Sequence, residues 1–182
     1  LYYGALVAVM PPLAFLADPV RWLWSIHRHR ATLTAAPNFA YEQCLKSVRD
    51  EDLGGLDLSS LRVAVNGSEP VSPSTIARFT ERFRKYGFRP EAMSPAYGLA
   101  ECSVGLAFPP LGRLPLIDRV QRAALTRDGR AAPAGPDEKN ALEFVACGHP
   151  LPGHQIRIVD EKGRELPDRH QGRLEFKGPS AT

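Results

Sequence analysis

Cysteine is scarce in this chain, with three in 182 residues. Cys44, Cys102 and Cys147 are widely separated and form no Cys-x-x-Cys pair. That excludes a disulfide framework and a thiolate zinc site, and the odd count suits a reducing, cytoplasmic compartment. An excess of one charge is also lacking. Lysine and arginine total 23 against 20 aspartates and glutamates, for a net charge of +3. No long basic run occurs, so no nucleic-acid partner is expected. The densest basic patch, His27-Arg28-His29-Arg30, reads as a solvated helix end. There is no Walker-type phosphate loop and no Gly-x-Ser-x-Gly elbow. The histidines have no ligand spacing, and His149 and His154, set among prolines, read as structural.

Long apolar runs are missing with one exception. Residues 1–17 are uncharged and strongly apolar, but Pro11 and Pro12 interrupt them. The run is slightly short for a membrane span and lacks the basic leader of a signal peptide. A buried strand over about residues 5–10, followed by a loop, is the expected structure, with no membrane span. The first residue is leucine, which points to a piece of a longer protein.

What remains is ordinary globular composition, 43% hydrophobic and 24% charged, arranged as an α/β chain. Asp18-Pro19 reads as a helix start, with Val20, Leu23, Trp24 and His27 at helical spacing. A short strand over 32–35 leads to a second helix starting at Pro37, with Phe39, Leu45 and Val48 on its apolar side. The run 61–65 is a strand ending at Asn66-Gly67. Ser72-Pro73 opens a helix carrying Ile76, Phe79, Phe83 and Tyr86, which Gly87 stops. Strand, turn, helix and strand in this order predict a largely parallel sheet. Residues 126–140 read as a loop or insertion, and strand-like runs follow at 143–146, 155–159 and 173–177, with a turn at 160–163. The expected organisation is an α/β lobe over 1–108, an insertion over 109–140 and the start of a mostly β lobe over 141–182.

Three segments carry candidate chemistry. Tyr97, Gly98 and Glu101 offer a ring that can stack on a purine, a turn, and a hard oxygen donor for Mg²⁺. The polar turn Asn66-Gly67-Ser68-Glu69-Pro70 would lie at the carboxyl end of a parallel strand, where such sheets bind ligands. Asn38, Phe39 and Tyr41 mix amide and aromatic groups at a helix start. On residue types alone, plainer readings stand beside these. Tyr97 suits a core position beside a surface glutamate, 66–70 suits a simple connecting loop, and Phe39 and Tyr41 suit the core.

The order of the segments is more specific than any one of them. The runs at 37–42, 61–70, 97–101, 147–153, 155–160 and 172–178 resemble the acyl-adenylating superfamily over essentially the whole chain. Within it the chain is similar to the fatty acyl-AMP ligases. Asn66, the run 37–41, and Ala100 where many acyl-CoA ligases carry threonine all point to that branch. So does the long stretch between Glu101 and Cys147, whose Arg119–Leu125 segment resembles the insertion of these ligases.

The resemblance implies an internal piece of the N-terminal adenylation domain. It implies an enzyme that uses ATP and Mg²⁺ to convert a fatty acid to acyl-AMP and pyrophosphate. The acyl group would then pass to an acyl carrier protein, alone or within a polyketide or nonribosomal synthase. By motif, Gly67, Ser68, Glu69 and Pro70 would line the adenine and ribose side, and Tyr97 would stack on adenine. Gly98, Leu99 and Ala100 would approach the α-phosphate, Glu101 would hold Mg²⁺ as the catalytic residue, and Asn38 and Phe39 would border the acyl pocket. Arg173 stands where the family usually has glutamate. The family's phosphate loop, ribose-binding aspartate and catalytic lysine would lie outside residues 1–182, so the isolated chain is expected to be inactive. An acyl-CoA synthetase or other carboxylate–CoA ligase, and a non-catalytic nucleotide-binding module, are the alternatives.

Overall fold

Ser72 and Pro73 set the start of the helix that organises the core. In the computed structural model, which describes residues 4–182, the Ser72 hydroxyl accepts a hydrogen bond from the Thr75 amide at 3.3 Å. Pro73 takes the first helical position, where its missing N–H would have had no helical partner. In chain order, α1 (Pro12–Ala17) and α2 (Val20–Arg28) precede strand β1 (Leu33–Pro37) and helix α3 (Asn38–Ser47). Strand β2 (Val63–Gly67), helix α4 (Pro73–Arg84) and strand β3 (Met93–Pro95) follow. The three strands form one sheet in the order β1-β2-β3, parallel throughout.

The core lies between this sheet and its helices. Helix α4 turns Thr75, Ile76, Phe79 and Phe83 inward, at the three- and four-residue spacing of one helical face. Tyr41 on α3 meets Phe79 edge-on at 5.0 Å, and Phe79 meets Phe88 edge-on at 5.2 Å. Such pairs add about 0.5–1.5 kcal/mol each beyond their area burial. The Tyr41 hydroxyl donates to the Val65 carbonyl at 2.8 Å, pinning α3 to β2. Arg82 of α4 reaches the end of α3 and donates to the carbonyls of Cys44, Leu45 and Val48. They lie at the end of a helix, where carbonyls run out of helical donors; that of Cys44 also accepts from the Val48 amide at 3.3 Å. The two helices are therefore fixed in register before any loop is considered.

Beyond β3 the architecture becomes antiparallel. Strand β4 (Ala107–Phe108) is followed by β5 (Ile117–Val120), helix α5 (Arg122–Asp128), β6 (Leu142–Val145), β7 (His149–Pro150), β8 (Gln155–Val159) and β9 (Arg173–Lys177). The pairs are β4 with β7, β5 with β6, and β8 with β9. Arg119 of β5 gathers the connecting loop by donating to the carbonyls of Gly135, Pro136 and Glu138.

Several expectations need correction. Residues 4–11 form no strand, and Leu6, Val7 and Val9 are 81%, 54% and 85% exposed. An apolar run becomes a buried strand only where a neighbour supplies ladder partners and a covering layer. Among the described residues no strand pairs with it; its first residues, 1–3, lie outside the described part. Pro12 opens α1 instead of breaking a helix. Asp18 ends α1, so Pro19 rather than Asp18 is the residue before α2. Phe39, expected on the apolar side of its helix, is 48% exposed, while Ala40, Tyr41 and Cys44 face inward. Tyr41, Cys44 and Val48 form the inner line, and Phe39 falls about 200° around the helix from Tyr41. The expected loop at 126–140 begins inside α5, which Gly129 closes in the left-handed conformation. Among the described residues no helix is long and apolar enough to cross a membrane.

Candidate active site

Parallel register brings the three candidate segments to one edge. Pro37 pairs with Gly67, and Asn66 pairs with Pro95, so residues 37–39, 66–70 and 95–101 all leave the carboxyl ends of adjacent strands. That edge is where open α/β sheets bind ligands. The Ala96 amide donates to the Asn66 carbonyl at 2.9 Å. A Cβ on Gly67 would lie 2.7 Å from the Ala96 carbonyl oxygen. Glycine there is what lets the two segments lie this close.

Asn38 clamps the loop that follows β2. Its Oδ1 accepts from the Ser72 amide at 3.1 Å and from Asn66 Nδ2 at 3.3 Å. The Ser72 donor fixes that Asn38 atom as oxygen, so Asn66 must turn its NH₂ toward it. Asn66 Oδ1 is thereby left buried without a donor. Midway along the loop Ser68 takes a positive φ of 66°, and Glu69 Oε1 accepts from the Phe39 amide at 2.5 Å. Helix α3 has no acidic residue in its own first turn. Glu69 supplies from across the loop the carboxylate that a helix N-terminus favours.

The side-chain oxygen of Asn38 is thus occupied inside the protein, and one Glu69 oxygen serves as a cap. Asn38→Ala strands two donors, the Ser72 amide and Asn66 Nδ2. We expect about 1–3 kcal/mol of lost stability, read as a lower midpoint in denaturant unfolding. Asn38→Asp, which keeps the acceptor, should lose less.

Tyr97 sits outside the core. Its amide donates to the Ala107 carbonyl at 3.1 Å, and its carbonyl accepts from Ala107 at 2.9 Å and Leu106 at 3.0 Å. The backbone is locked while the ring remains 40% exposed, which removes the core reading of this tyrosine. A Cβ on Gly98 would fall on the carbonyl oxygen of Val104. A 3-10 turn over Ala100–Cys102 follows, and the Leu99 carbonyl accepts from the Cys102 and Val104 amides, both at 3.1 Å. Ser103 and Val104 have φ of 53° and 80°. A β-branched residue at positive φ carries roughly 1–3 kcal/mol of strain, so this turn holds a conformation that the surrounding structure imposes.

Ala100 and Glu101 are exposed at the turn. Among the described residues no ion pair engages the Glu101 carboxylate. No cluster of three or more His, Cys, Asp or Glu side chains forms a metal cage among them. A single open carboxylate suits Mg²⁺, which commonly takes one or two carboxylates and fills its shell with phosphate oxygens and water. The thiols supply no nucleophile. Cys102 is 1% exposed, burial pushes Cys44 up to about 12, and burial also raises Cys147.

The structure therefore gathers Asn38, Phe39, Gly67, Ser68, Glu69 and Pro70 on one side of the strand ends. Tyr97, Gly98, Leu99, Ala100 and Glu101 continue from the adjacent strand end. Sequence reasoning read Ser72 as a helix start and Asn66 as part of a polar turn, but not the bonds that tie both to Asn38. The signal for Asn66 was available, since a polar side chain ending a buried strand needs a partner.

The AMP-binding enzyme family model matches residues 1–182. Over 161 residues the chain is 38% identical to the medium-chain-fatty-acid–[acyl-carrier-protein] ligase JamA of Moorena producens, covering 88% of this chain and 27% of that protein. It is 39% identical over 157 residues to the long-chain-fatty-acid–AMP ligase FadD26 of Mycobacterium marinum, covering 86% of this chain and 26% of the relative. The fatty acyl-adenylate ligase of L. pneumophila, solved with acyl adenylate and pyrophosphate, superposes with a TM-score of 0.89 at 33% identity. That match covers 94% of this chain and 30% of the ligase. The chain spans 27% and 26% of the length of the two curated relatives described.

Proposed function

Because the chain belongs to the AMP-binding enzyme family, we propose that it is the adenylate-holding part of a fatty-acid ligase. The parent enzyme activates a fatty acid with ATP and passes the acyl group to a carrier-protein thiol. In the first half-reaction a carboxylate oxygen attacks the α-phosphorus, the bond to the bridging oxygen breaks, and pyrophosphate leaves. In the second, the thiol sulfur takes the acyl carbon and AMP departs. The observation that carries this reading is an exposed Tyr97 and an exposed Glu101 four residues apart in the segment that leaves β3, at the carboxyl end of a parallel sheet.

In this reading Tyr97 stacks on adenine, and the 67–70 loop borders the adenine and ribose. The backbone of Gly98 to Ala100 lies along the α-phosphate. Phe39 lines the entrance of the acyl pocket, and Asn38 shapes that entrance by holding the loop. Glu101 holds Mg²⁺, which neutralises phosphate charge when bound. The rest of the chemistry is positioning, so no side-chain nucleophile is required.

The acceptor we propose is a phosphopantetheine thiol on a carrier protein, free or within a synthase, rather than CoA. The names of the relatives, Ala100 and the long 102–146 stretch support that choice. The free cysteines support a reducing, cytoplasmic setting.

The test uses the full-length protein with ATP, Mg²⁺ and medium- to long-chain fatty acids. Pyrophosphate release with acyl-AMP formation is expected, and acyl transfer to a holo carrier protein should exceed transfer to CoA by about tenfold or more in kcat/KM. Equal or faster transfer to CoA would assign the parent to the acyl-CoA ligases. ATP binding without pyrophosphate release for any fatty acid would leave only a nucleotide-binding module.

A further inference from the structure

The turn that carries Glu101 is held from the far end of the chain. Its own hydrogen bonds use the carbonyls of Leu99 and Ala100 as acceptors. The next two carbonyls are taken by residues that follow β9. The Thr182 amide donates to the Glu101 carbonyl at 2.9 Å, and the Ser180 hydroxyl donates to the Cys102 carbonyl at 3.0 Å. Ser180 is in turn fixed by His154, whose Nε2 lies 2.7 Å from Ser180 Oγ.

The direction of that last bond follows from proton counting. Ser180 has one hydroxyl proton, and it goes to Cys102; His154 Nε2 must therefore be the donor to Ser180 Oγ. The ring is seated by Gly178, because a Cβ there would fall on the His154 imidazole. Backbone geometry and side-chain chemistry thus converge on one carbonyl beside Glu101. His149, in the same loop region, is exposed and pairs with Phe108 through backbone alone.

We propose that His154 and Ser180 are positioning residues for Glu101, fixing the turn from which its carboxylate meets a nucleotide-bound divalent cation. The proposal rests on the reading of Glu101 given above. A three-residue 3-10 turn followed by two left-handed residues has little to hold it by itself. The strap supplies the hold from outside, so a turn released from it presents the same carboxylate over a wider range of positions. Loss shows in metal affinity rather than in acyl binding, because the strap touches the Glu101 side of the site and not residues 38 and 39.

The experiment uses the full-length enzyme with a non-hydrolysable ATP analogue, and Mn²⁺ binding is read by electron paramagnetic resonance. Ser180→Ala and His154→Phe are each expected to weaken Mn²⁺ in the ternary complex about 5–10-fold, with fatty-acid KM unchanged within about twofold. Ser180→Thr and His154→Gln, which keep the donors, should restore most of the affinity. Gly178→Ala should reproduce the loss by displacing the ring, and it serves if Ser180→Ala folds poorly. Glu101→Gln is measured in parallel. If it weakens Mn²⁺ while the strap variants do not, the positioning role is overturned and the metal reading stands. If Glu101→Gln leaves Mn²⁺ affinity unchanged, the metal reading falls and the proposal falls with it. Equal losses in metal affinity and fatty-acid KM, with a lower melting temperature and no rescue by threonine, would mark a general structural role and overturn the proposal.

Discussion

Gly98→Ala in the full-length enzyme is expected to lower kcat/KM for adenylate formation by about 100-fold or more. The added Cβ has no space, because it would coincide with a backbone carbonyl, that of Val104. A clash with a flexible side chain relaxes by rotation, whereas this one relaxes only if the 98–105 loop moves. That loop is tied by the backbone bonds between Tyr97 and residues 106 and 107 and by those that Leu99 accepts. Overpacking of this kind costs typically 1–3 kcal/mol in stability. The larger effect falls on rate, since a shift of about 1 Å in a positioned group can cost 100-fold. Pyrophosphate release and thermal unfolding, measured side by side, check both halves. A variant that retains more than about a tenth of the activity would mean that the loop relaxes without disturbing the chemistry.

Tyr97→Ala should weaken binding of a non-hydrolysable acyl-adenylate analogue with little loss of stability. Aromatic stacking on a base is worth about 1–3 kcal/mol, which corresponds to roughly 5–150-fold in dissociation constant. The fold should survive because the bonds of Tyr97 to Leu106 and Ala107 are made by its backbone and its ring is already partly in solvent. Among the described residues the Tyr97 hydroxyl has no protein hydrogen bond that phenylalanine would forfeit, so Tyr97→Phe should bind within about threefold of the parent. Calorimetry on the three proteins decides the matter. An alanine variant that binds as tightly as the parent would place the adenine elsewhere.

The parallel α/β region was legible because its punctuation is local. Ser72-Pro73 starts α4, Gly87 ends the segment after it with a φ of 86°, and the inward stripe of Ile76, Phe79 and Phe83 repeats at helical spacing. The strands at 155–159 and 173–177 were legible for the same reason, as alternating runs bounded by turn residues. The failures came where burial depends on a partner rather than on the segment. Residues 5–10 have the composition of a buried strand and no strand beside them among the described residues. Phe39 has the composition of a core residue, but the helix phase set by Tyr41 and Cys44 turns it outward.

At the site, the identities of Tyr97, Gly98 and Glu101 were visible in the sequence, and their supports were not. Asn38 reads as a pocket residue until its amide is seen bracketing Asn66 and Ser72. Glu69 reads as a loop carboxylate until it is found capping another segment's helix. Nothing in the local pattern around His154 or Ser180 indicates a contact with the turn at 100–102.

That last contact has a temporal side. Ser180 and Thr182 follow their partners Cys102 and Glu101 by 78 and 81 residues. At the 5–20 residues per second of protein synthesis, the ribosome needs about 4–16 s to make that interval. Through it the paired strands β1, β2 and β3 are already made, while the Glu101 turn has its own bonds to Leu99 and Ala100 but not those from Ser180 and Thr182. The nascent chain therefore acquires its scaffold early and its site late. A stalled ribosome or a truncated transcript would release strands β1 to β3 with a Glu101 turn that lacks these two outside bonds.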